Sequence, residues 1–448
     1  MTGVPITAAT PVTYPGPPSP QADVVVIGGG VIGVCTALYL ARDGHRVTLL
    51  EKGRIAGEQS SRNWGWIRQQ GRDPDELPIM MEAIGRWREL AQDTDVDFGL
   101  RHGGVSYVAQ TAGELDDYER WLPHAQKQGL DTAIITGGQV AQMLPGLSRA
   151  VAGAMITPSD MRAEPWLAVP ALAAIAARAG VTIVENCAVR SLDMVAGRVA
   201  GVMTEHGPVA ASAVVLAGGA WSALFLRRHG VGIPQLSVRE SVIATDALPS
   251  ISDGATALGK VAFGRRLDGG YTLAPTGQSN LYIGPDAFRA LPKYLAQLRA
   301  APFSQTYLPA APAGFPDAWG TPRSWAADET TPFERMRILD PAPGRRQLER
   351  LVADFGALFP ELGQVTVKAR WAGMIDTMPD VVPIVDHCAA LPGLVIGTGM
   401  SGHGFGIGPA MGRVLAALVT GGVVGHDLRR FRADRFSDGS AIRLGPSI

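Results

Sequence analysis

A chain of 448 residues with a formal net charge of −1 carries no electrostatic footprint for nucleic acid, and it is too long for a single hydrophobic core. Hydrophobic residues make up 46% and charged residues 18%, the proportions of a compact globular protein, and no uninterrupted run of 18 apolar residues offers a bilayer span. Cys35, Cys187 and Cys388 are too far apart for a metal-ligand spacing or a disulfide framework, so no metal is expected and a reducing, cytoplasmic setting is.

Residues 1–21, rich in Pro, Thr and Ala and lacking a basic start, read as a mobile extension rather than a secretory signal. Residues 23–27 form a short β-branched run, the pattern of a buried parallel strand. Gly28-Gly29-Gly30 breaks it, residues 31–42 read as a helix closed by Gly44, and residues 46–50 give a second buried strand ending at Glu51. Helices are expected over 74–92, 114–128, 166–179 and 347–359, and short strands over 103–109, 181–184, 188–192, 199–204 and 214–216. Residues 235–345 hold strand-like pieces broken by Gly and Pro, without βαβ rhythm, which predicts a separate, largely antiparallel layer. A strand at 394–396, a glycine-rich turn and a helix over 409–420 return to α/β character. The expected fold is therefore α/β. Residues 22–105, 160–234 and 346–448 form a Rossmann-type nucleotide domain, and 106–159 and 235–345 an α+β substrate domain with a largely antiparallel sheet.

Gly28, Gly30 and Gly33 spell G-x-G-x-x-G directly after a strand and at the start of a helix. The first glycine permits the tight turn, the second lets the backbone approach a pyrophosphate, and the third lets helix and strand pack closely. Free N–H groups at Val31 and Ile32 then face phosphate charge. Glu51, 23 residues after Gly28, stands where a carboxylate accepts from both ribose hydroxyls and repels a 2′-phosphate. The motif alone does not separate FAD from NAD. Two segments favour FAD: the small polar turn Ser60-Ser61-Arg62-Asn63-Trp64-Gly65, and the run from Gly397 to Gly406 before the last helix. The second also contains G-x-G-x-x-G, but no acid closes a strand about 20 residues later, where Thr420-Gly421-Gly422 stands. A helix start aimed at a flavin suits it better, because N–H groups and the helix dipole stabilise negative charge on the reduced ring.

These segments, with 214–221 and 371–383, occur in the order of the FAD-dependent D-amino-acid oxidase/dehydrogenase and sarcosine oxidase family, and the chain resembles that family over about a third of its length. The resemblance implies a glutathione-reductase-like FAD domain, non-covalent FAD, and oxidation of a C–N bond by hydride transfer to flavin N5. The resulting imine hydrolyses to a keto product, and oxygen or a quinone-type carrier reoxidises the flavin. The implied substrate is a D-amino acid, an N-substituted or cyclic amino acid, or an opine; peripheral membrane or subunit association stays open. Cofactor contacts carried over by the resemblance are Gly28, Gly30, Val31, Ile32, Gly33, Glu51 and Lys52, then Ser60, Ser61, Arg62 and Asn63. Val189 at the adenine, Ala217, Gly218 and Trp221, Gly373 and Gly399, and Gly402, His403, Gly404 and Phe405 at the flavin pyrimidine complete the set.

The departures concern the substrate. The family arginine that pairs with a substrate carboxylate falls on Ile375, and the neighbouring Asp376, if it faced the site, would favour a cationic group. No His stands at the segment matching 61–63 and no Cys within 371–379, which argues against covalent flavin; Cys388 reads as core. Substrate-side candidates are Arg68, Tyr271 and His403, with Arg239, Arg265 or Arg266 as carboxylate clamps and Trp64, Trp66, Trp325 and Trp371 as cavity walls. A surface arginine, a core tyrosine and core tryptophans are the competing readings. A flavin-binding subunit without substrate oxidation of its own, and an NAD-dependent dehydrogenase, are the alternative functions.

Overall fold

The computed structural model describes residues 4–277, 279–302 and 305–445. Its organising element is the strand Val24–Ile27, whose residues Val24 to Val26 are buried. Val47–Leu50 and Ala213–Leu216 flank it in parallel, Thr182–Val184 and Leu394–Thr398 extend the sheet, and Ile384–His387 closes one edge antiparallel. The helix Val31–Arg42 is apolar on nearly every side because it is covered on several. It packs between Gly404–Thr420 and Pro165–Arg178 over the sheet.

A second, ten-stranded sheet carries the other half of the molecule. It runs from Gln305–Leu308 through Ser279–Tyr282, Leu236–Thr245, Tyr271–Pro275, Val261–Arg265 and Ala255–Leu258 to Val105–Ala109, Gly153–Thr157 and Ala133–Thr136. Pairing is antiparallel except between Ala255–Leu258 and Val105–Ala109 and between Ser279–Tyr282 and Gln305–Leu308. The strand Val367–Thr377 lies along the whole of Leu236–Thr245. One face of this sheet buries Ile243, Phe263, Tyr271 and Leu273 against Leu348, Leu351 and Phe355 of the helix Arg345–Leu358. The other face carries Val105, Val242, Ala255, Ala257, Ala262 and Ala274, which pack with Trp66, Trp166 and Trp371. Two-residue alternation thus gives the sheet one bulky face and one shallow, alanine-rich face.

Several elements differ from expectation. Residues 346–377 fall in the expected nucleotide domain, yet Arg345–Leu358 and Val367–Thr377 are a cover and a strand of the ten-stranded sheet. The helix expected over 114–128 is two, Ala112–Glu119 and Leu122–Gln128, with Trp121 at the corner donating its indole N–H to the Arg72 carbonyl. The last helix begins at Gly404, five residues before Pro409, because burial of Phe405 and Ile407 holds the turn that the proline would otherwise end. The amino-terminal residues, expected to be mobile, are hydrogen-bonded along the nucleotide half. Ile6 N–H donates to Ser61 Oγ, Thr10 O accepts from Arg54 Nε, and the Thr13 and Tyr14 amides donate to Glu185 Oε2. Among the described residues no helix is long and apolar enough to cross a membrane, and no His, Cys, Asp and Glu cluster could hold a metal ion.

Candidate active site

A cavity of about 1120 Å³ lies between the parallel sheet and the alanine-rich face of the large one. One end is the turn after Val24–Ile27. Gly28 has φ +108°, and a Cβ there would collide with the Ala217 carbonyl, so only glycine fits. The helix behind it has Gly30 as N-cap with no side-chain cap and no acid in its first turn, which leaves its dipole free for an anion. Ser60 Oγ accepts from Val31 N–H and ties the polar turn to this helix start. Glu51 accepts from Gly29 N–H and Gly53 N–H, at 2.7 Å each, and burial raises its pKa to about 7. Beside it Glu58 accepts from Lys52 Nζ (2.6 Å), Trp221 Nε1 (3.0 Å) and Leu339 N–H, and Lys52 sits over the Trp221 ring.

The other end is the turn from Gly399 to His403 and the helix Gly404–Thr420, again without a side-chain cap or a first-turn acid. Asp376 shapes this turn. Its Oδ2 accepts from Gly399 N–H (2.7 Å) and Met400 N–H (3.3 Å), and its backbone carbonyl accepts from Ser401 N–H. Two helix starts without a first-turn acid, the first with its Val31 amide taken by Ser60, and a single cavity joining them and Glu51 fit an extended dinucleotide such as FAD, whose phosphates the first helix would hold and whose ring the second would face.

A buried polar cluster flanks the second end. His403 Nδ1 lies 3.1 Å from Glu76 Oε2. Burial and the guanidinium of Arg72 hold the His403 pKa down at about 4, and despite its own burial Glu76 is kept below the usual carboxylate range by His403, Arg72 and Arg68. The ring is therefore neutral at pH 7, with Nδ1–H donating to an ionised Glu76. Arg68 stacks over Tyr107 and donates to the Gln70 carbonyl; Arg72 Nε donates to the Arg68 carbonyl. Burial, with Arg68 beside it, pushes the Arg72 pKa down to about 9. Among the described residues Arg72 Nη1, Gln70 Nε2 and Glu76 Oε1 are buried without a hydrogen-bond partner. Buried polar atoms are usually satisfied, and of these three residues Arg72 lines the cavity.

Of the residues singled out from sequence, Gly28, Gly30, Val31, Ile32, Glu51, Lys52, Ser60, Arg62, Asn63, Val189, Ala217, Gly218, Trp221, Gly373 and 402–405 line this cavity, as do Arg68, Trp64 and Trp66. Gly33, Ser61 and Gly399 stand behind the wall; Ser61 is spent on Ile6. Arg62 reaches the wall but acts as a staple, donating to Asp340, the Ala372 carbonyl and the Ile6 carbonyl. Tyr271 does not reach the cavity. It lies on the opposite, bulky face with Phe263 and Phe355, and its hydroxyl joins the Ile251 amide and the Pro249 carbonyl. Arg239, Arg265 and Arg266 stand outside the cavity too; Arg266 is consumed by the Thr245 and Tyr271 carbonyls and Asp268. Trp325 donates to the Arg190 carbonyl in the core, and Trp371 donates to the Arg62 carbonyl and meets Trp166 edge to face. Asp376 lines the cavity; the turn takes its Oδ2, and its buried Oδ1 has no hydrogen-bond partner among the described residues. Sequence reading missed Glu58, Arg72, Glu76, Tyr107, Tyr118, Trp121 and Glu240. Arg72, four residues past Arg68, and Glu240, an acid within a β-branched strand, left the only traces.

The family model for FAD dependent oxidoreductase (DAO) matches residues 23–418. The fold is similar to that of L-amino acid deaminase from Proteus myxofaciens in complex with anthranilate, with TM-score 0.90, 30% identity and 97% of each chain covered. Among curated proteins, glycine oxidase of Geobacillus kaustophilus is 27% identical over 92% of this chain and 97% of its own. Sarcosine oxidase subunit beta of an Arthrobacter species is 24% identical over 95% and 93%. Human mitochondrial sarcosine dehydrogenase is 28% identical, but the match covers 54% of this chain and only 28% of that protein. With a family model that matches residues 23–418, and with two helix starts and Glu51 joined by one cavity, the chain belongs to the FAD-dependent oxidoreductases of the DAO family.

Proposed function

We propose that the protein oxidises the C–N bond of a carboxylate-bearing amine, an amino acid or N-substituted amino acid, to an imine that water hydrolyses to the keto product. The observation that carries this reading is the buried pair Arg68 and Arg72 in the cavity wall, the latter with an unpartnered Nη1. Guanidinium groups recognise carboxylates through paired N–H donors, and a dry wall strengthens the contact. They supply the positive charge that Ile375 does not. The FAD-dependent relatives act on amino acids and sarcosine by their names, and the deaminase structure holds anthranilate, an aromatic amine with a carboxylate.

Bound FAD supplies the acceptor for the two electrons that leave the substrate. The chain's own residues do the rest. Trp64, Trp66, Tyr107 and Val242 line the cavity and exclude water, which favours the neutral amine over the ammonium ion. The uncapped start of Gly404–Thr420 presents N–H groups where negative charge accumulates. Neutral His403 holds Glu76 ionised beside Arg72, so the arginine stays charged despite its burial.

Anaerobic mixing of FAD-loaded protein with D- and L-amino acids, N-alkyl amino acids and the matching decarboxylated amines tests this. Bleaching of the flavin near 450 nm by carboxylate-bearing amines alone is expected. Arg72→Met should raise KM for them by roughly 10²-fold, about 3 kcal/mol, while leaving decarboxylated amines as poor as before. Bleaching indifferent to the carboxylate would exclude the reading. The likeness to a subunit named beta favours a second one, in which the chain binds flavin but oxidises nothing alone; bleaching by the isolated chain decides between them.

A further inference from the structure

Glu240 lies within the strand Leu236–Thr245, opposite Gly373 on the neighbouring strand. Alternation puts it on the same face as Val242, and both line the cavity. Its neighbours turn away: Arg239 Nη1 donates to Tyr282 Oη and the Ala342 carbonyl, and Ser241 Oγ accepts from Gly344 N–H. The other cavity acids have work. Glu51 holds two amides, Glu58 holds Lys52 and Trp221, Glu114 holds the Gln110 amide, and Asp117 pairs with Arg120; Asp376 commits its Oδ2 to the turn at Gly399 and, like Glu240, keeps one oxygen unpartnered among the described residues. Glu240 Oε2 is buried with no hydrogen-bond partner among the described residues. Burial raises its pKa to about 8. A carboxyl left unpaired inside a protein is costly unless a ligand satisfies it.

Resting on the reading that this cavity oxidises carboxylate-bearing amines, we propose that Glu240 receives a positively charged nitrogen of the substrate. Arg68 and Arg72 take the anionic end of the molecule, and Glu240 takes a cationic end from the large sheet. The nitrogen is either the α-ammonium, held before it loses its proton, or a second ammonium or guanidinium on the substrate's side chain. The two sources share one chemistry: an N–H-bearing cation meets a buried carboxyl, which releases its proton to solvent and ionises as the cation enters. No covalent step is assigned to Glu240.

The test compares the FAD-loaded wild type with Glu240→Gln, which keeps shape and removes the ionisable carboxyl, and Glu240→Asp, which keeps it. Three ligand sets are titrated anaerobically, reading both the perturbation of the flavin spectrum and its bleaching: simple carboxylic acids, amino acids with neutral side chains, and lysine, ornithine and arginine. Glu240→Gln is expected to bind simple acids as the wild type does and to lose tenfold or more in kcat/KM or affinity for cation-bearing ligands, with partial recovery in Glu240→Asp. A loss spread over both amino-acid sets assigns the α-ammonium; a loss confined to the basic set assigns the side-chain nitrogen. Affinities and rates within twofold of wild type for every set overturn the proposal. If no amine bleaches the wild type, the functional reading fails on its own, and the spectral titration of cationic ligands still decides the role of Glu240.

Discussion

At His403 a single ring shows how burial and a partner divide a titration. Its folded pKa lies near 4 against an ordinary 6.5, so between those values the unfolded chain takes up a proton that the folded one refuses. Stability is then whole above about pH 6.5 and falls as pH drops towards 4. Glu76, held low by the same contact, pushes in the same direction as pH falls. Thermal or urea unfolding between pH 7 and 4 should show this loss, and His403→Asn should flatten the slope by about 1–3 kcal/mol. An unchanged slope would place the sensitive group elsewhere. At this scale the sequence was readable where spacing carries direction. Gly28, Gly30, Glu51 and Ser60 stand at fixed intervals along a strand, turn and helix, and the cavity includes them. Arg72, Glu240 and Tyr271 were not readable, because one charged or aromatic residue in a strand or loop does not declare which face it takes. Tyr271 falls one position out of phase with Ala274 and Val242 and so joins the opposite core.

Between elements, Val31–Arg42 and Gly404–Thr420, the two helices whose starts form the two ends of the cavity, cross in close contact. A Cβ on Gly412 would lie 2.5 Å from Cys35 Cβ and 2.7 Å from Thr36 N, and backbone cannot yield as a side chain can. Gly412→Val should therefore cost about 3 kcal/mol, the upper part of the usual overpacking range, and release flavin at a lower temperature than wild type. A melting curve followed by flavin fluorescence checks both. The βαβ unit and the antiparallel layer were legible from period and from Gly and Pro punctuation. The membership of Val367–Thr377 was not. Its apolar run fits either sheet, and only its full-length pairing with Leu236–Thr245 decides which.

For the molecule as a whole, the site exists because a parallel sheet that binds nucleotides faces a mixed sheet whose inner face is mostly alanine. The amino-terminal segment closes the nucleotide side, reaching Ser61, Arg62 and Arg54 from Ile6 and Thr10. Arg54 and Arg62 line the cavity, so this segment braces residues that border the cofactor. Removing residues 1–11 deletes three such bonds, each worth about 1 kcal/mol net, and should speed FAD release roughly tenfold or more with little change in the far-UV spectrum. Stopped-flow recovery of flavin fluorescence measures it; an unchanged release rate would mean the brace does not reach the cofactor.

Two of the three thiols offer a use unconnected with catalysis. Cys35 lies under the helix crossing and Cys187 borders the cavity; both are fully buried, and burial lifts both thiols to about 12. Neither should react with an alkylating reagent while the fold is shut. Their labelling rates become two independent timers, one for parting of the two helices and one for opening at the adenosine end. Peptide mass spectrometry at each cysteine, with and without added FAD, would read local breathing of the protein at two named places without introducing a probe.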